Sequence, residues 1–161
     1  MAKQLTKKVV SAQSTGTAAA TATVATVLQI AGVPLARVKE LRARLNVTVA
    51  MGGDTPTLNV YLQRPVAEDP DPAIDADWED FYAFPQATNA TLDKVVTLPL
   101  PHAQDVDASL ATASRTRAIQ ALTADTVIGG HWSGPIRIRH VVTKGAGAIT
   151  AGTYDVEFVG R

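Results

Sequence analysis

The segment ELRARLNVTVA at residues 40–50 constrains this chain more tightly than any other. Leu41, Ala43, Leu45, Val47 and Val49 fall at every second position, and Arg42, Arg44, Asn46 and Thr48 fill the gaps. A helix would scatter the two sets around its axis. An extended chain separates them, so the stretch reads as a strand with one buried and one solvated face. Residues 56–64 (PTLNVYLQR) repeat the pattern, with Leu58, Val60 and Leu62 inward and Asn59, Tyr61 and Gln63 outward. Gly52, Gly53 and Asp54 lie between the two runs, and the pair carries the signal of a β-hairpin.

The rest of the chain extends this theme. Residues 18–30 mix Thr and Val in an Ala-rich window, and their β-branched side chains favour strand over helix. Residues 65–80 form a loop, because Pro65, Pro70 and Pro72 exclude regular structure. Trp78–Phe84 holds the densest aromatic cluster and returns as a short strand, and residues 91–100 give another. In residues 135–143, Ile136, Ile138 and His140 oppose Arg137 and Arg139. In 153–160, Tyr154, Val156 and Phe158 oppose Asp155 and Glu157. Residues 103–132 break the pattern, and Asp105 or Asp107 is placed to cap a helix carrying Leu110, Ala113, Arg117, Ile119 and Leu122. The polar residues 1–17 read as an arm or a first edge strand. The expected fold is therefore all-β: an antiparallel, jelly-roll-like sandwich of about seven or eight strands over residues 18–161, with the arm before it.

Two stretches are variants of one phrase. Residues 41–63 and 136–160 each run from an Arg-bearing strand through a glycine turn to a second alternating strand, a pseudo-symmetry between hairpins. Alanine accounts for 27 residues and threonine for 19, while aromatics make up only 5%. A chain so poor in large apolar side chains suits a thin sandwich whose stability is partly shared with neighbouring subunits.

Charge sharpens that expectation. Fifteen basic and fifteen acidic residues cancel, which argues against a dedicated nucleic-acid binder. The cancellation is uneven: net +6 over residues 1–64, −9 over 65–107 and +3 over 108–161. Such blocks let the acidic part of one subunit meet a basic part of the next. Asp69, Asp71, Asp75 and Asp77 in the acidic loop, and Arg42, Arg44, Arg137 and Arg139 on outward strand faces, are the candidate interface residues. Were the two arginine strands neighbours, they would form a basic stripe. It lacks the interleaved aromatics of a nucleic-acid groove, so an acidic protein partner fits it better. No window is long and apolar enough to span a membrane, and the sequence reads as a soluble intracellular product.

Catalytic patterns are scarce. Cysteine is absent, which removes disulfides and thiol chemistry. His102, His131 and His140 are far apart and lack metal-ligand spacing, and no serine sits in a nucleophile-elbow context. Gly145-Ala146-Gly147 reads as a turn, not a phosphate loop. The carboxylates at 69–80 invite calcium, but the prolines and the missing mid-loop glycine disfavour an EF-hand. The expectation is a protein with no cofactor and no enzymatic activity.

The phrases LNVTVAMGGDTPTLNVYLQ, DWEDFYAF, VVTLPLP and PIRIRHVVTKGAGAITAGTYDVEFVG, in that order, resemble small virion structural proteins of tailed bacteriophages. Asp54-Thr55-Pro56-Thr57-Leu58 and Asp77-Trp78 occupy the places that carry the likeness, which covers roughly residues 40–100 and 135–160. The resemblance implies a β-sandwich that decorates or cements a phage head. It would be a virion component assembled in the host cytoplasm, a dimer or trimer bound to major capsid protein, with no direct contact to nucleic acid or membrane. A tail or head–tail connector component is the alternative within virions. A carbohydrate-binding or adhesion module is the alternative outside them, resting on Trp78, Tyr82 and Trp132 as candidate platform rings.

Overall fold

The computed structural model describes residues 4–98, 122–127 and 134–161. In chain order its strands are β1 (Leu5–Ser14), β2 (Ala20–Val27), β3 (Gln29–Ile30), β4 (Val33–Pro34), β5 (Leu41–Val49), β6 (Gly52–Gly53) and β7 (Thr57–Pro65). There follow β8 (Trp78–Ala83), β9 (Leu92–Leu98), β10 (Thr126–Val127), β11 (Ile136–Thr143), β12 (Ile149–Thr150) and β13 (Thr153–Gly160). Short 3₁₀ turns occupy Leu35–Arg37 and Asp75–Asp77.

Among the described residues the long strands form two antiparallel sheets, and β3–β4 and β6–β12 form separate two-stranded ribbons. The first sheet has the order β1-β13-β5-β9 and the second β10-β8-β7-β11-β2. Among the long strands, chain neighbours lie in opposite sheets except β7 and β8, which pair with each other. This is the double-sheet jelly roll, in which both sheets are stitched together by crossing connections. Alternation places Leu41, Ala43, Leu45 and Val47 of β5 beside Tyr154, Val156 and Phe158 of β13 on the inner face of the first sheet. Val60 and Leu62 of β7, and Ile136, Ile138 and Val142 of β11, share the same core from the second sheet.

Two sequence expectations change. The runs at 41–49 and 57–65 are not a hairpin, because β5 belongs to the first sheet and β7 to the second. The same holds for β11 and β13. Each glycine-containing link is a corner that carries the chain between sheets. The two similar phrases are instead partners of each other: β5 pairs with β13, β6 with β12 and β7 with β11. Two arches thus run antiparallel along each other through both sheets and the corner between them. Gly53 adopts φ +101°, and a Cβ there would lie 2.3 Å from the Ala148 carbonyl oxygen. Only glycine permits so close an approach of the two corners. Val49, expected inward, is exposed because β5 ends where the chain leaves the sheet.

Residues 5–14 form the edge strand β1 against β13, with register irregularities after Lys8 and Val10. Ala12 lies there at φ 47°, and its N–H donates to Asp155 Oδ1 at 2.7 Å. The helix expected from Leu110 to Ile119 lies outside the described residues. Leu122 is not helical; it packs on Tyr61 and Ala83 of the second sheet.

Candidate functional site

The outer faces of the two sheets differ. On the first, Arg42, Arg44, Asn46 and Thr48 point away from the core and remain accessible. On the second, Tyr61, Gln63, Asp80 and Arg137 also point outward from the sandwich core, yet all are buried. The cover comes from the 66–77 connection and from Leu122.

Beneath that cover, side chains form a continuous polar ladder. It starts on β8, where Asp80 Oδ1 accepts from Gln63 Nε2 at 2.7 Å, and Asp80 Oδ2 accepts from the Leu122 backbone N–H at 3.3 Å. On β7, Gln63 Oε1 accepts from Arg137 Nε at 2.8 Å. Arg137 on β11 donates from Nη1 to the Pro72 carbonyl at 2.8 Å, and its guanidinium lies 5.0 Å from the centre of the Trp78 ring. Asp75 bridges both arginines of β11, with 3.1 Å from Arg137 Nη2 to Oδ1 and 3.0 Å from Arg139 Nη2 to Oδ2. Arg139 Nη1 then reaches Thr23 Oγ1 on β2 at 2.8 Å. The ladder crosses four adjacent strands and pins the acidic loop over them.

Its charges balance. Arg137 and Arg139 face Asp75 and Asp80, so a fully buried guanidinium is neutralised locally. Burial first, and then the neighbouring Arg139, draws the Arg137 guanidinium below its ordinary value, while Asp75 and Asp80 pull the other way. It stays cationic, as arginine does in proteins.

The eight candidate interface residues therefore separate. Arg42 and Arg44 lie on the first sheet and Arg137 and Arg139 on the second, so the four form no common stripe. Arg42 pairs with Glu40 at 3.1 Å. Arg44 grips Asp93 with two bonds of 2.8 and 2.7 Å across the β5–β9 pair. Asp75 turns onto the chain's own arginines. Asp71 accepts from the Ala73 N–H, Asp77 accepts from the Asp71 N–H, and Asp69 is exposed. The acidic carboxylates thus splay to different partners, and among the described residues no group of three or more His, Cys, Asp or Glu could hold a metal ion. Sequence reasoning missed Gln63, Asp80, Trp78 and Thr23 as members of the ladder. Alternation put Gln63 and Arg137 each on an outward face, but only the register, Arg137 opposite Gln63, makes them neighbours.

A second polar contact lies inside the sandwich. His140 Nδ1 and the Tyr154 hydroxyl are 2.8 Å apart, joining β11 to β13 across the core. Burial, and then Arg139, lowers the His140 pKa from its ordinary 6.5. Burial raises that of Tyr154, so both groups stay neutral at pH 7. Trp78 and Tyr82 are buried, at 0% and 1% exposure, and offer no ring to a sugar. His102, His131 and Trp132 lie outside the described residues. Comparison with protein-family models, with curated proteins and with solved structures finds no match to this chain.

Proposed function

We propose that the chain is a structural protein of a tailed-phage virion. In this reading it decorates or cements the head, binds major capsid protein as a dimer or trimer, and catalyses no reaction. The observation that carries it is the topology: consecutive long strands cross between two sheets as a jelly roll, an architecture recurrent in viral capsid and lectin domains. A jelly roll alone hosts several functions, so the inference runs from the fold together with the phage-like phrases at residues 40–100 and 135–160. The accessible outer face of the first sheet suits lattice binding. It presents Lys8, Arg42, Arg44, Asp93 and Glu157 as a mixed-charge surface with exposed Val95 among them. Mixed charge of this kind sets register and steers encounter more than it adds affinity.

The test is the composition of purified particles from a phage encoding this chain. Mass spectrometry should find it in a fixed ratio to major capsid protein, and electron cryo-microscopy should place it on the head. Its absence from particles refutes the reading. A ring of copies at the tail or the head–tail junction replaces it with the connector alternative.

A further inference from the structure

Residues 9–36 contain no charged side chain, the longest such run in the chain. It includes the whole of β2, which among the described residues ends the second sheet and pairs only with β11. Among the described residues, Ala20–Val27 make no backbone hydrogen bond outside that ladder. The free side of β2 therefore presents unpaired main-chain groups, the template on which another strand can add.

The other described edges of the two main sheets are guarded. β1 carries Lys7 and Lys8 and breaks register twice. β9 carries Asp93 and Lys94. β10 has only two residues. Charge, irregularity and shortness are the devices that keep edges from pairing with other chains. In β2 the one such device is a bulge: Val24 is the extra residue, since Ala25 lies opposite Ile138 and Thr23 opposite Arg139. The stretch before it, Ala20–Thr23, stays in register with Val142, Val141, His140 and Arg139, so it continues the sheet regularly. Its threonines favour strand, its alanines are small, and Ala20 and Thr21 are exposed.

We propose that Ala20–Thr23 is the self-association surface of this protein, on which β2 of a second copy adds antiparallel about a twofold axis. The second copy is the favoured occupant on grounds of charge. A charged edge placed against itself would set like charges opposite one another, whereas this edge is neutral and so is its copy. The two second sheets then become one continuous sheet across the axis. This deepens the self-association within the proposed virion role. Its test uses the isolated chain, so its failure leaves capsid attachment standing.

The experiment is sedimentation equilibrium of the full 161-residue chain across a dilution series, with amide hydrogen exchange at high and low concentration. The expected result is a dimer that dissociates on dilution, with amides of residues 20–23 exchanging more slowly in the dimer. Thr21→Lys, which adds a charge from each copy to the shared edge, should weaken the dimer by about fivefold and leave the circular dichroism spectrum unchanged. Thr97→Lys, on the exposed face of β9 at an edge of the first sheet, should leave the dimer intact. A monomer at all concentrations overturns the proposal. So does a dimer whose 20–23 amides gain no protection, or one that Thr97→Lys weakens as much as Thr21→Lys. If Thr21→Lys fails to fold, the exchange measurement on the unmodified chain still decides.

Discussion

Replacing Arg137 by methionine tests the polar ladder at its centre. Methionine keeps an unbranched stem of similar reach but makes none of the guanidinium's bonds. Gln63 Oε1 and the Pro72 carbonyl each lose a donor at 2.8 Å, and the Trp78 ring loses its cation. Leaving a buried polar group unsatisfied costs about 1–3 kcal/mol, and a desolvated cation–π contact adds about 1–2 kcal/mol. Asp75 adds little, because its Oδ2 keeps Arg139 at 3.0 Å and its side chain as a whole is 45% exposed. The total is about 4 kcal/mol. With an m-value of about 2 kcal/mol/M, the urea midpoint should fall by about 2 M. Asp75→Asn should cost about 1 kcal/mol, since it removes a half-exposed carboxylate that bridges the two arginines but leaves Arg137 its bonds to Gln63 and Pro72. Amide exchange should quicken through residues 66–77 in both variants. The reasoning is refuted if Arg137→Met moves the midpoint by less than Asp75→Asn does, or if the loop amides exchange as before.

Four further outcomes follow from the geometry. His140 has a folded pKa below 6.5, so the unfolded chain takes up a proton first as pH falls. Its contribution to stability is complete above about pH 6.5 and shrinks below it; urea midpoints at pH 7.5 and 5.5 should show the loss, and His140→Gln should flatten it. Asp155, whose pKa the Ala12 N–H and then Lys8 hold below the ordinary 3.8, works at a lower range: its contribution is present above 3.8 and fades as pH falls through the folded value. Asp155→Asn should cost about 1 kcal/mol and speed exchange in β1 alone, and uniform exchange changes would contradict its local role. Gly53→Ala should cost about 3 kcal/mol, whereas Gly32→Ala, at φ +81° with open space around it, should cost about 1 kcal/mol; equal melting shifts would contradict the close corner approach.

The alternation in residues 41–49, 57–65, 136–143 and 153–160 made strand identity and inner face legible from sequence. What each strand pairs with was not legible, because a period of two names a face and not a neighbour. The glycine link at 52–54 looks the same whether it closes a hairpin or turns a corner between sheets. The likeness of the two phrases was visible, but its meaning, that they pair with each other, is a long-range fact. The same gap explains Arg137. Its outward position was read correctly, and outward suggested solvent. The cover of the second sheet comes from the 66–77 connection, whose prolines marked it as a loop without saying where it would lie. Asp75 does meet arginines, and they are those of its own chain.

The central pairing of the two arches also sets an order of events. β13 lies between β1 and β5, so the first strand has no neighbour in its sheet until residues 153–160 are available. Most of the chain must be held as an open loop before either sheet can close, which places this protein among slow-folding, non-local β topologies. While it waits, the uncharged stretch at 9–36 lies unprotected, and a stalled or truncated chain would present it to other chains. Loss of the last strand would therefore act less as a local defect than as a release of the N-terminal segment into aggregation.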